Sequence, residues 1–159
     1  MTLLDPGYEL IGRIVTVLRA NAPLQALLFP PAPLSVQDTR IYAANEELPV
    51  ALRGQLPRII VDVLEVPFDT EQDSSATPLA AASVFITVLV EANQRHLGEQ
   101  LTAKCRVILG STQWSDSHIM AAGLVPVGVS RPMRESAFRD AWRFTREYRS
   151  GLVGVMPDA

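Results

Sequence analysis

Cysteine and histidine are scarce in this chain. The single cysteine, Cys105, excludes an internal disulfide framework and a zinc site built from several cysteines. The two histidines, His96 and His118, lie far apart, and neither has a second histidine or a cysteine at helical spacing. Gly-x-Gly-x-x-Gly, Gly-x-Ser-x-Gly and phosphate-binding-loop motifs are missing as well. The sequence therefore predicts no catalytic centre, no metal site and no cofactor.

An excess of positive charge and a long apolar run are also missing. Fourteen basic and seventeen acidic residues give a formal charge of -3, which argues against a general nucleic-acid binder. The most apolar stretch, residues 79–90, has twelve residues and contains Ser83 and Thr87, so it is too short to span a bilayer. Asp5 and Glu9 stand where a signal peptide would carry positive charge. These absences predict a soluble domain made inside the cell.

The chain does have enough apolar sequence for one hydrophobic core. It has 159 residues, of which 48 % are apolar and 19 % charged. A domain of this length buries about two-thirds of the surface of its unfolded chain. Residues 1–150 are expected to form this domain, and residues 151–159 are expected to form a flexible C-terminal tail.

Two segments have the periodicity of amphipathic helices. The first begins at Asp5, a suitable cap that precedes Pro6, and a short helix over residues 24–28 follows it. The second covers residues 97–109, and Gly110 is expected to end it. Apolar residues recur every three or four positions in both long helices. They are Leu10, Ile11, Ile14, Val15 and Leu18 in the first, and Leu97, Leu101, Cys105 and Ile108 in the second.

Alternating apolar residues predict strands over residues 58–66 and 83–92. Further strands are expected over residues 39–42, 124–130 and 141–149, with a basic connection between the last two. Strands that are adjacent in sequence with short links favour antiparallel pairing. The order of elements predicts an α+β fold: a single two-layer domain with a mainly antiparallel sheet and two long helices on one face.

A nucleophile arrangement of Cys105, His118 and Asp116 can be written down, because a thiol needs a base and the base needs an orienting acid. Cys105, however, falls on the predicted buried stripe of its helix, where a small apolar side chain is expected. Buried cysteines are usually inert, so a structural role for Cys105 is favoured.

Residues 67–78 are polar and acidic, and they are expected to form a long hairpin loop. Asp69, Glu71 and Asp73 alternate as calcium ligands do, but no turn glycine follows them and no glutamate closes the loop. A solvated acidic loop is therefore the favoured interpretation.

The opposite charge is concentrated near the C-terminus. Residues 131–149 contain six arginines and three acidic residues, a balance of +3, so the rest of the chain totals -6. The arginines are Arg131, Arg134, Arg139, Arg143, Arg146 and Arg149. They either form salt bridges within a strand or meet the acidic loop of a neighbouring copy, a heterologous contact that can close into a ring. A weaker alternative is that they face DNA passing through such a ring.

The large aromatic residues after position 110 fall into two groups. Trp142, Phe144 and Tyr148 share one face of a predicted strand and are expected to be core residues. Trp114 lies in a predicted loop, which makes it the better candidate for an exposed anchor at an interface.

The arrangement of elements resembles that of bacteriophage tail terminator (tail-completion) proteins over about residues 5–150. An N-terminal amphipathic helix, Arg40-Ile41-Tyr42, a proline-bracketed loop and Leu56-Pro57-Arg58-Ile59-Ile60-Val61 resemble the opening of these proteins. Strand 83–92, helix 97–109 and paired strands that end in Phe144-Thr145-Arg146-Glu147-Tyr148 resemble the remainder. The resemblance is one of pattern and not of a single motif.

This resemblance implies an α+β fold and a hexameric ring. The ring would cap the tail tube, stop its polymerisation and provide the surface that joins the tail to the head connector. The implied partners are further copies of the chain, the tail tube protein and the connector or neck proteins. No catalytic residue, cofactor or membrane is implied, and DNA is only cargo that passes through the ring. The implied location is the virion, after synthesis in the host bacterial cytoplasm.

Charge alone selects the residues expected at subunit or tube contacts, because the family supplies no motif there. They are Arg131, Arg134, Arg139, Arg143, Asp69, Glu71, Asp73 and the aromatic Trp114. Two alternatives to the terminator remain open. One is another neck or head-completion adaptor protein. The other is a small cytosolic enzyme or ligand-binding domain that uses Cys105, His118 and Asp116.

Overall fold

The computed structural model describes residues 6–28, 40–44, 46–48, 55–67, 79–115, 119–121, 123–135 and 141–155. Within these ranges the chain forms three helices and six strands. In chain order they are α1 (Pro6–Ala20), α2 (Ala22–Leu28), β1 (Ile41–Ala43), β2 (Arg58–Pro67), β3 (Leu79–Glu91), α3 (Arg95–Ser111), β4 (Ile119–Ala121), β5 (Val125–Glu135) and β6 (Ala141–Val155).

The strands form one mixed sheet that is mostly antiparallel. The order is β1-β2-β3-β6-β4, and β5 also pairs with β6. β1 pairs with β2 in parallel, and every other pairing in the sheet is antiparallel. β6 is the longest strand, and β4 and β5 lie one after the other along the edge of β6 that faces away from β3.

Both long helices cover the same face of the sheet, as the sequence predicts. Leu10, Ile14 and Leu18 of α1 are fully buried, and so are Leu101 and Cys105 of α3. These residues share one core with alternate residues of the central strands, namely Ile59, Val61, Val84, Ile86, Val88, Val90, Phe144 and Tyr148. The alternation predicted for β2, β3 and β6 is therefore confirmed.

The opposite face of the sheet, called the outer face below, has no helix packed on it among the described residues. Leu64 of β2 is 58 % exposed, while Val125 and Met133 of β5 are 61 % and 52 % exposed. Near the middle of this face, the Thr87 and Thr145 hydroxyls are 3.3 Å apart across the β3–β6 pair. The α+β two-layer fold predicted from sequence is confirmed.

Two expectations for the C-terminal half are wrong. Residues 131–135 continue β5 and are not part of a basic connection, because β6 pairs with this strand as far as Glu135. Residues 151–155 continue β6 and are not part of a flexible tail, because Gly154 pairs with both β3 and β4. Residues 156–159 and the expected helix cap Asp5 lie outside the described residues.

Gly110 does not end α3, contrary to the sequence expectation. The helix continues to Ser111, and Thr112 adopts an extended conformation. Gly110 lacks the positive φ that a glycine needs to end a helix in the left-handed region. Side chains bond the last carbonyls instead. Ser111 Oγ donates to the Val107 carbonyl at 2.8 Å, and Thr112 Oγ1 donates to the Ile108 carbonyl at 2.6 Å.

Candidate interaction groove

The arginines of the predicted basic patch are divided between the two faces of the sheet. Along β6, Phe144 and Tyr148 point into the core, so Arg146 between them lies on the helix side. Arg143 and Arg149 fall on the outer face, where Arg149 Nε bonds Glu147 Oε1 at 3.1 Å. Arg134 pairs with Trp142 and so belongs to the helix side. The +3 segment is therefore not one continuous surface.

Most of the remaining predicted contact residues lie outside the part of the chain that the structure describes. Arg131 lies in β5 opposite Thr145, and Arg139 lies outside the described residues. The acidic residues Asp69, Glu71 and Asp73 also lie outside them.

Trp142 is the centre of a small cationic cluster at one end of α3. The guanidinium groups of Arg95 and Arg134 each lie 4.9 Å from the centroid of its ring, a cation–π distance. The indole Nε1 donates to the Ala92 carbonyl at 3.1 Å, which fixes the ring against the start of α3. Arg95 also forms a 3.5 Å ion pair with Glu99 one turn along the helix.

A groove of about 680 Å³ runs between α3 and the pair β5–β6. Its apolar part is formed by Pro132, Phe144 and Val107, and Val107 is 65 % exposed. Three arginines line it, namely Arg95, Arg106 and Arg146, against one acidic residue, Glu99. Such a surface, apolar at the bottom and positive along its sides, is suited to a segment that combines apolar and acidic side chains.

Arg146, which lines this groove, carries a hydrogen-bond donor that has no acceptor among the described residues. Its Nε is buried and has no hydrogen-bond partner among the described residues. A buried donor without an acceptor costs free energy, and the cost is larger for a charged group.

Burial raises the pKa of the two ionisable groups beneath the groove. The pKa of the Cys105 thiol rises from 9.0 to about 12 because α3 and the sheet exclude water from it. The pKa of Tyr148 rises from 10.0 to about 12, mainly through burial and also through Cys105, although Arg146 and Arg106 oppose the rise. The Tyr148 hydroxyl is buried without a hydrogen-bond partner in the described part of the chain.

The predicted catalytic arrangement finds no support at Cys105. Its side chain is fully buried in the core, as the spacing of the helix predicts. The raised pKa keeps the thiol protonated at neutral pH, whereas a nucleophile needs the thiolate. Asp116 and His118 lie outside the described residues. Within the described ranges, no cluster of His, Cys, Asp and Glu could hold a metal ion.

The prediction that Trp114 is an exposed anchor is wrong. The side chain is 1 % exposed, and its Nε1 donates to the Leu109 carbonyl at 3.2 Å. The indole therefore folds back onto the end of α3, where carbonyls lack intrahelical partners. Trp114 is a core residue of its own chain and not a contact residue for a partner.

Sequence reasoning missed the contribution of α3 to the candidate site. Arg95, Glu99, Thr102 and Arg106 recur at spacings of four, three and four, which places them along one side of the helix. This polar stripe is visible in the sequence. Its position beside β5 depends on the order of strands in the sheet, which the periodicity does not reveal.

The likeness of this chain to known proteins is a likeness of fold. No protein-family model and no curated protein matches the chain. Among solved structures, the chain is similar to one from the virion of a native gene transfer agent particle, with a TM-score of 0.60 and 20 % identity. The match covers 89 % of this chain and 92 % of that chain. At this identity the likeness establishes a shared fold and leaves the function to be argued from other features.

None of the described helices is both long and apolar enough to cross a membrane.

Proposed function

We propose that this chain is a virion structural protein, and specifically a ring-forming tail terminator. The observation that carries the proposal is the fold shared with a chain of an assembled gene transfer agent particle over 89 % of the sequence. The resemblance of its element order to tail terminator proteins supports the finer role. The protein would cap the tail tube as a hexamer, stop its polymerisation and offer a surface to the head connector.

The surfaces of the molecule are compatible with repeated head-to-tail contacts. The groove beside α3 carries an excess of positive charge, while the run from residue 59 to residue 94 contains no lysine or arginine. Unlike surfaces on one subunit can join successive copies in a ring. Arg131, Arg134, Arg139 and Arg143 and the carboxylates Asp69, Glu71 and Asp73 are our proposed contact residues.

The decisive test combines mass measurement with tube capping. Light scattering on the purified chain should give about six times 17.4 kDa, or, if the ring forms only on the tube, the mass of a tail-tube ring should rise by that amount when the chain is added. Added to polymerising tail-tube protein, the chain should shorten the tubes in proportion to its concentration. A chain that stays monomeric and leaves tube length unchanged would contradict the terminator role.

The same experiment separates the terminator from another neck or head-completion adaptor. An adaptor should bind isolated connector rings and leave tube growth unaffected, whereas a terminator should bind tube ends first. Electron microscopy of mixtures with each partner distinguishes the two outcomes.

A further inference from the structure

We propose that the groove between α3 and β5–β6 is the receptor for the acidic segment 68–78 of a neighbouring copy. The inference rests on the self-association contained in the proposed function, and it assigns that association to particular surfaces. It adds to the proposed contact residues a groove lined by three arginines, two of which belong to α3.

The chemistry of the segment matches that of the groove. Phe68 supplies an apolar side chain, and Asp69, Glu71 and Asp73 supply three negative charges without a basic residue between them. The groove offers Val107 and Pro132 as an apolar surface and a net charge of +2 from three arginines and Glu99. Carboxylates paired with arginine guanidinium groups form charge-assisted hydrogen bonds.

The spacing of the charges matches as well. Residues two apart in an extended chain project to the same side, so the three carboxylates would share one side over about 13 Å. Arg95 and Arg106 are eleven residues apart in α3, a separation of about 16 Å along the helix axis. An extended segment laid along α3 therefore places a carboxylate near each end and one near the middle.

The segment of the same chain cannot reach the Phe144 end of this groove. It connects Pro67 to Leu79, and Leu79 pairs with Gly154 near the end of β6. Twelve Cα steps that leave and return reach about 20 Å at most. Arg146 and Phe144 lie eight and ten residues back along β6 from Gly154, which is about 26 and 33 Å. An occupant that extends as far as the Phe144 end of the groove must therefore come from another molecule.

A groove at one end of the sheet and its occupant at the other make the contact heterologous. Each copy presents both halves, so successive copies join head to tail.

The test is a titration of a labelled peptide of residues 66–80 with the full chain, followed by fluorescence anisotropy at low salt. The wild-type chain should bind this peptide, and the double variant Arg95→Glu/Arg106→Glu should bind it at least tenfold more weakly. Lys104→Glu is the control for the single variants Arg95→Glu and Arg106→Glu, because it makes the same charge change as either of them on α3 outside the groove. The affinity of this variant for the peptide should stay within about twofold of wild type, because Lys104 does not line the groove.

A second peptide keeps the test independent of the folding of any variant. With Asp69→Asn, Glu71→Gln and Asp73→Asn in the peptide, binding to the wild-type chain should also fall at least tenfold. No binding of the wild-type peptide, or equal binding of both peptides, would overturn the inference.

Exchange of charges tests the same contact in assembly. A chain with Arg95→Glu/Arg106→Glu and a chain with Asp69→Lys/Glu71→Lys/Asp73→Lys should each fail to self-associate, and an equal mixture should associate. Peptide binding without tube capping would contradict only the terminator role. Tube capping without peptide binding would contradict only the assignment to this groove.

Discussion

Gly98 marks the closest approach of α3 to the sheet. A Cβ at this position would overlap the ring of Phe144, which is itself 3 % exposed. The glycine is therefore required for packing and not for a turn.

We expect Gly98→Ala to lower the free energy of unfolding by about 1–3 kcal/mol through overpacking. The matched control is Gly110→Ala on the same helix, where an added Cβ meets nothing within 4 Å. That change should raise stability by about 0.5–1 kcal/mol, since alanine favours the helix. Urea unfolding of the two variants measures the contrast, and equal effects would argue against this packing.

The ionisable core residues make the fold sensitive to alkali. Burial raises the pKa of Cys105 from its ordinary value of 9.0 to about 12 in the folded state. The stability that comes from keeping the thiol neutral is therefore fully present below pH 9, and it is lost as the pH rises from 9 to about 12. Tyr148 acts in the same direction from 10.0 to about 12.

We therefore expect the free energy of unfolding to fall with pH above about 9, by up to about 1.4 kcal/mol per pH unit for each group. Cys105→Ala should flatten the pH profile even though it creates a cavity. Tyr148→Phe should flatten it too, and should cost little at neutral pH because the hydroxyl has no partner among the described residues. An unchanged pH profile in both variants would contradict this account.

At the scale of the element, the end of α3 depends on residues that follow it. Trp114 bonds the Leu109 carbonyl, and Thr112 bonds the Ile108 carbonyl. The helix is thereby closed by side chains and held against the core.

We expect Trp114→Ala to destabilise the chain by about 3–5 kcal/mol, as for other buried tryptophans. Trp114→Phe should cost less, because most of the ring packing remains while one hydrogen bond of about 1 kcal/mol is lost. Thermal unfolding measures both. If Trp114 were instead an exposed anchor, both variants would keep the stability of the wild type.

The elements whose apolar residues recur at a regular period are the ones that the sequence predicts correctly. α1, α3, β2 and β3 are found near their expected positions because each buries one regular stripe or face. The extent of β5 was missed because Arg131, Pro132 and Arg134 interrupt the apolar alternation. An edge strand tolerates such residues, since only one of its sides needs backbone partners.

The candidate groove could not be predicted from the sequence for a related reason. Periodicity placed Arg146 and Phe144 on one face of a strand, but it could not reveal that α3 lies beside that face. The parallel pairing of β1 with β2 is equally hidden, because the register joins segments that are far apart in sequence.

At the scale of the whole molecule, the kind of contact decides how association responds to salt. The proposed contact joins opposite charges on partly exposed surfaces, so added salt should weaken it. The alternative surface is the outer face with its exposed Leu64, Val125 and Met133, where association would be mainly apolar.

We expect the mass in solution to fall toward that of a monomer as salt rises from about 0.05 to 0.5 M, since the screening length shortens over this range. Sedimentation at several concentrations provides the measurement. Association that strengthens with salt would point to the outer face, and Met133→Lys would then disrupt it while Arg106→Glu would not.

β5 carries Pro126 and Pro132, and it pairs with β6 while no other described strand covers its second side. A free strand edge is a template for backbone pairing, and stacked edges give fibres that have no natural end. Proline cannot donate a main-chain hydrogen bond, so two rungs of that ladder are missing on the open side. The two prolines therefore disfavour edge-to-edge pairing of β5 between copies of this protein at high concentration. Side-chain contacts then determine which neighbour binds and in which orientation.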